Sequence, residues 1–90
     1  MKAVAITVEG IVQGVGFRFF VQTVAARYEI MGWVRNTSDG SVAIEAVGSE
    51  DRLEAFIHKV KQGPPFSQVT KIHIEELQTL PRYSAFKISY

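Results

Sequence analysis

With 90 residues, 47% of them hydrophobic, the chain can form one small core and leaves no room for a second, so we predict a single domain over residues 1–90. Its formal net charge of +1 at pH 7 excludes the strong positive field typical of proteins that bind nucleic acids or anionic membranes. The lack of cysteine excludes disulfide bonds, a thiol nucleophile and cysteine-bound zinc.

The apolar stretches of the sequence are short. None is long enough to span a membrane, and no charged segment followed by an apolar one marks a signal peptide at the start. We therefore expect a cytoplasmic protein with neither a membrane nor a nucleic acid as its partner.

The first half of the chain alternates between strand and helix patterns. Val4, Ile6 and Val8 recur at every second position and predict a strand over about residues 3–10. Gly32 is expected to end the helix that follows. That helix is predicted from apolar residues at helical spacing, namely Phe17, Phe20, Val21, Val24, Ala25 and Tyr28.

A hairpin and a second helix come next. Residues 33–37 and 42–47 predict two strands, which Asp39-Gly40 joins through a tight turn. Ser49 is placed to cap the next helix, and the sequence Gly63-Pro64-Pro65 prevents that helix from continuing. The buried face of this helix is predicted from the spacing of Leu53, Phe56, Ile57 and Val60.

Two further strands complete the chain, one containing Val69, Ile72 and Ile74 and a short one containing Phe86 and Ile88. The resulting order is βαββαβ plus a short C-terminal strand. This order predicts an α+β fold, the ferredoxin-like α/β sandwich, in which an antiparallel sheet carries two helices on one face.

The segment between the first strand and the first helix is the strongest indication of a binding site. Gly14 and Gly16 allow the main chain to turn several N–H groups toward one point, and Arg18 follows at the helix start. A phosphate group is the ligand that suits such a loop. Taken singly, the glycines are more typical of a simple turn and Arg18 of a solvated side chain, so the interpretation depends on their combination.

Four motifs together show a resemblance that spans nearly the whole chain. In order and spacing they are similar to those of the acylphosphatase family. They are Gly10-Ile11-Val12-Gln13-Gly14-Val15-Gly16-Phe17-Arg18, Gly32-Trp33-Val34-Arg35-Asn36-Thr37, Asp39-Gly40-Ser41-Val42 and Gly63-Pro64-Pro65.

The resemblance implies a hydrolase that cleaves the carboxyl-phosphate bond of small acyl phosphates without a metal or a cofactor. It implies that Asn36 holds the attacking water and that Arg18 binds the substrate phosphate together with the loop before it. The loop residues are Gln13, Gly14, Val15, Gly16 and Phe17. Because a carboxylate is already a good leaving group, positioning and charge stabilisation suffice for this reaction, and a strong base is dispensable. We expect a monomer.

Two other classes of protein compete with this interpretation. An RNA-recognition domain shares the sandwich, but its basic and aromatic third-strand motif is replaced here by residues 42–47. An inactive phosphate-binding domain, of the kind fused to carbamoyl-transfer enzymes, is the second alternative. A zinc site is not expected, since His58 and His73 are predicted on different elements and no third ligand accompanies them.

Overall fold

Seven elements follow one another in the computed structural model, which describes residues 1–90. Their order confirms the predicted βαββαβ arrangement with an added C-terminal strand. The elements are β1 (Lys2–Ile11), α1 (Phe17–Arg27), β2 (Met31–Asn36), β3 (Val42–Gly48), α2 (Glu50–Gln62), β4 (Gln68–Glu76) and β5 (Phe86–Ser89).

The five strands form one sheet in the order β4-β1-β3-β2-β5. The predicted antiparallel arrangement holds for β1 to β4, whereas β5 pairs in parallel with β2. The reason is the path of the chain after β4. Because β4 lies at one edge of the sheet, residues 77–85 cross to the opposite edge, and β5 then runs against the direction of β4 and along that of β2.

The core lies between the sheet and the two helices. The alternating residues Val4, Ile6 and Val8 of β1 face the helices and are at most 7% exposed. Both ends of the loop between β1 and α1 are anchored in this core, because Val12 and Phe17 are each only 1% exposed. The burial of these two side chains holds the loop between them in place at one end of the sandwich.

The end of α1 differs from the prediction. The helix ends at Arg27, and Gly32 lies inside β2 instead of terminating the helix. Glu29 takes the left-handed conformation with φ of 58°, and the N–H of Ile30 donates to the carbonyl of Ala25 at 2.8 Å, which is a Schellman motif. Gly32 is needed for a different reason, since a Cβ there would lie 1.8 Å from the carbonyl oxygen of Glu45 on β3.

Both ends of α2 lie where they were predicted. Ser49 occupies the N-cap position, although its side chain makes no capping hydrogen bond, and Gly63 follows the last turn. Glu50 and Asp51 place negative charge in the first turn, where the helix dipole favours it. Neither α1 nor α2 has the length and apolar character required to cross a membrane.

The connection from β4 to β5 is held on the sheet face away from the helices. The Nε1–H of Trp33 donates to the Tyr83 hydroxyl at 3.1 Å, and that hydroxyl donates to the carboxylate of Glu45. The hydrogen bond to Glu45 raises the pKa of Tyr83 above its ordinary value. Trp33 thus holds this connection against the sheet.

Candidate active site

The loop between β1 and α1 presents a row of main-chain donors. Gly14 and Gly16 have φ of 74° and 77°, while the residues between and after them keep negative φ. This alternation turns successive N–H groups toward one side of the chain. The N–H groups of residues 13–19 donate to no other main-chain group, and the first hydrogen bond of the helix runs from Phe20 to Gly16.

Arg18 stands in the first turn of α1, where a positive charge opposes the helix dipole. Two contacts hold its guanidinium group. One Nη–H donates to the carbonyl of Ser89 at 3.3 Å, and the Cζ atom lies 4.7 Å from the ring centre of Tyr90. Since an arginine side chain has five N–H donors, the remaining ones stay free for an anion.

Asn36 is the last residue of β2 and reaches the same end of the fold. It follows the fully buried Val34 by two positions, so it faces the helices and the loop. Its Oδ1 atom is buried and accepts no hydrogen bond from the protein. Buried acceptors are nearly always satisfied in proteins, so this oxygen requires a partner from outside the chain.

The side chain of Gln13 joins the loop to the hairpin behind Asn36. Its Nε2 group donates to the carbonyls of Thr37 and Ser41, each at 2.8 Å. The hairpin is itself well ordered, because the N–H of Ser41 donates to the carboxylate of Asp39 at 3.0 Å and the Thr37 hydroxyl donates to the same carboxylate. These bonds lower the pKa of Asp39 below its ordinary value.

A cavity of about 310 Å³ lies where these parts meet. Arg18 is the only charged side chain in its wall, which includes no aspartate, glutamate or histidine. This volume is at the small end of the range for ligand sites. The cavity is lined by Val12, Gly14, Gly16, Phe17, Arg18, Phe19, Asn36, Ile88 and Tyr90.

The structure therefore brings Gly14, Gly16, Phe17, Arg18 and Asn36 to one cavity. Gln13 and Val15 lie outside its wall: the first side chain points to the hairpin and the second packs against the core. Phe19, Ile88 and Tyr90 also line the cavity, and their contribution was not predicted from the sequence. Ile88 and Tyr90 belong to the far end of the chain, and nothing local in the sequence indicated that they would reach this site.

The two histidines lie apart from this cavity and from each other. A ring nitrogen of His58 is 3.3 Å from the Gln62 amide nitrogen on α2, and one of His73 is 3.1 Å from the Glu9 carboxylate between β4 and β1. No group of three histidine, aspartate or glutamate side chains is arranged to hold a metal ion.

Gln13→Met tests how the loop is attached to the hairpin. The variant loses two hydrogen bonds, so we expect the free energy of unfolding to fall by about 2 kcal/mol in chemical denaturation. We also expect kcat of the reaction catalysed at this cavity to fall, because the loop and Asn36 are no longer held together. Gln22→Met is the control, since the Gln22 amide makes one hydrogen bond, to Phe86 at 3.2 Å. Equal kcat in both variants would contradict a role for Gln13 in positioning the site.

The fold and the site together define a class of protein: a ferredoxin-like sandwich with a small cavity at one end of its sheet, whose wall contains one charged side chain. Residues 4–88 match the family model described as Acylphosphatase. An acylphosphatase of Bacillus licheniformis is 48% identical over 85 residues, which cover 94% of each chain. The crystal structure of acylphosphatase from Bacillus subtilis superposes with a TM-score of 0.97 at 47% identity and covers 100% of both chains.

The chain belongs to the acylphosphatase family. This confirms the predicted family and class of enzyme, a hydrolase of acyl phosphates. A longer protein contains a similar unit: the chain superposes on HypF of T. kodakarensis with a TM-score of 0.87 at 35% identity, covering 100% of this chain and 12% of that one. By contrast, the match to the B. licheniformis acylphosphatase extends over almost the full length of both proteins.

Proposed function

We propose that this single domain hydrolyses small acyl phosphates in the cavity between the loop and β2, with Arg18 and the loop N–H groups binding the phosphate and Asn36 holding the water. One observation carries the proposal. Unpartnered main-chain donors, one guanidinium group and one buried unpartnered amide oxygen all meet at the same cavity.

The phosphate would bind at the start of α1. Its oxygens can accept hydrogen bonds from the N–H groups of the loop, from Gln13 to Phe17, and from the free edge of Arg18. Each charge-assisted hydrogen bond contributes about 1.5–3 kcal/mol. The Arg18 Cζ atom lies over the Tyr90 ring and one Nη–H donates to Ser89, so the other N–H donors of the guanidinium group have no hydrogen-bond partner in the protein and can bind the phosphate.

The water would bind at Asn36. Its buried Oδ1 can accept one water hydrogen and thereby direct an oxygen lone pair at the phosphorus atom. The water oxygen forms a bond to phosphorus while the bond from phosphorus to the carboxyl oxygen breaks. The products are a carboxylate and inorganic phosphate, and the positive donors around the phosphate stabilise the charge of the transition state.

The proton of the water needs an acceptor, and the cavity wall contains no aspartate, glutamate or histidine. We propose that the phosphate oxygens or the departing carboxylate of the substrate take this proton. The reaction then needs no general base from the protein, which suits a bond whose leaving group is already a weak base.

We expect turnover to be the same before and after exhaustive treatment with EDTA, because the proposed mechanism draws all its positive charge from Arg18 and main-chain N–H groups. The measurement is the rate of benzoyl phosphate hydrolysis by the dialysed protein, with and without chelator. Loss of activity in EDTA and its recovery with one divalent ion would overturn this part of the proposal.

The same assay separates the enzyme from the alternative of an inactive phosphate-binding domain. An inactive domain would bind inorganic phosphate and fail to hydrolyse benzoyl phosphate. Similarity to acylphosphatases over almost their full length favours the active enzyme. The monomeric state stays a prediction. The cytoplasmic location stays a prediction.

A further inference from the structure

Two aromatic side chains at the cavity are much more exposed than folding alone would favour. Phe19, in the first turn of α1, is 69% exposed, and Tyr90 is 95% exposed. Both belong to the cavity wall: Phe19 directly follows Arg18 in the sequence, and the ring centre of Tyr90 lies 4.7 Å from the Arg18 Cζ atom. Single exposed apolar residues are common on protein surfaces, but two of them beside one ligand cavity indicate a contact surface.

We propose that Phe19 and Tyr90 form the subsite for the acyl group and make the enzyme prefer uncharged, apolar and especially aromatic acyl phosphates. This inference rests on the proposed function, because it assumes that the phosphate binds at Arg18 and the loop. With the phosphate held there, the acyl group must extend from the anhydride oxygen toward the remaining wall of the cavity. Phe19, Ile88 and Tyr90 make up that part of the wall.

The charges around the cavity favour the same class of substrate. Arg18 is the only ionised side chain in the wall; one of its Nη–H groups donates to Ser89, its Cζ atom lies over the Tyr90 ring, and its other donors would bind the phosphate. A carboxylate or an ammonium group on the acyl chain would therefore find no partner there. An aromatic acyl group, in contrast, can cover the rings of Phe19 and Tyr90, and aromatic rings pack well edge to face or offset.

Phe19 provides the cleaner test of the two, because Tyr90 also contacts Arg18. Phe19 contributes little to the core, since most of its side chain is in solvent. Phe66 is a matched control: it is also a phenylalanine, it is 85% exposed, and it is absent from the wall of the cavity. Serine at either position removes an exposed ring without opening a hole in the core.

The experiment measures the binding of two non-hydrolysable probes, acetylphosphonate and benzoylphosphonate, by isothermal titration calorimetry. We expect the native protein to bind benzoylphosphonate more tightly than acetylphosphonate. Phe19→Ser should reduce this preference by about three- to tenfold, the size of a modest apolar contact. Phe66→Ser should leave the preference as it is, and Phe19→Tyr, which keeps the ring, should largely retain it. Because the two probes are compared within each variant, effects on the phosphate site cancel.

Turnover provides a second and separate measurement. We expect kcat/KM to decrease from benzoyl phosphate to acetyl phosphate to succinyl monophosphate, whose second carboxylate meets no cation in the wall other than Arg18, which binds the phosphate. Equal affinity for the two phosphonates in the native protein, or an unchanged preference in Phe19→Ser, would overturn the acyl subsite while the proposed hydrolase stands. Conversely, absence of turnover with an intact preference in binding would overturn the hydrolase and support the subsite.

Discussion

Replacing Arg18 by alanine is expected to abolish detectable hydrolysis of acyl phosphates, a loss of at least about a thousandfold in kcat/KM. Arg18 is the only charged side chain in the cavity wall, so its removal leaves the phosphate with main-chain donors alone. Inhibition by inorganic phosphate should weaken in parallel, because product and substrate share the same donors. The fold should survive, since the one hydrogen bond that Arg18 makes within the protein is exposed.

Two further variants test whether the effect depends on the guanidinium group and on its position at residue 18. Arg18→Lys should also be severely impaired, because a lysine ammonium group lacks the planar pair of donors that matches a phosphate. Arg27→Ala is the control: it removes a guanidinium group from the last turn of the same helix, far along the chain from the cavity. Near-native turnover in a folded Arg18→Ala protein, shown by circular dichroism and steady-state kinetics, would contradict the proposed phosphate site.

Replacing Asn36 by alanine should lower kcat by about a hundredfold or more while phosphate affinity stays close to that of the native protein. The reason is that Asn36 and Arg18 act on different parts of the reaction. Asn36 offers a neutral, buried acceptor suited to water, whereas Arg18 and the loop supply the donors for phosphate. The measurement combines steady-state kinetics on benzoyl phosphate with the inhibition constant of inorganic phosphate.

Asn36→Asp should be no better than alanine. It keeps an acceptor, but it loses the amide donor and places a negative charge beside the incoming phosphate, so binding weakens by repulsion between like charges. A native kcat in Asn36→Ala, accompanied by a raised inhibition constant for phosphate, would show that Asn36 binds phosphate and not water. The proposed roles of the two residues would then have to be exchanged or abandoned.

Most of the elements were predictable because their causes are local. The alternation of Val4, Ile6 and Val8 and the helical spacing in α2 reflect side-chain directions that the backbone imposes within a few residues. The end of α1 was harder to predict. A left-handed residue can be a glutamate when a Schellman motif and the burial of Ile30 favour it, so the position of Gly32 gave the wrong boundary.

The candidate site was likewise predictable where its residues are close in sequence and unpredictable where they are distant. The motif from Gln13 to Arg18 lies on consecutive residues, so its two glycines and its arginine indicated a phosphate loop directly. The role of the Gln13 side chain was not predictable, because its two acceptors lie on the hairpin beyond α1 and β2. A hydrogen bond between segments distant in sequence leaves no periodic pattern that a single sequence can show.

By itself, the sequence determined the kind and order of the elements and the family to which the chain belongs, and it indicated the candidate phosphate loop. Only the tertiary structure decided which residues complete the site. The parallel register that sets Val34 opposite Ile88 carries the chain onward, so that the Tyr90 ring lies beside the Arg18 guanidinium group and the Ser89 carbonyl accepts a hydrogen bond from it. That register depends on residues 77–85 crossing the sheet to its far edge, and such long-range pairing is set by packing of the whole domain and not by local preference.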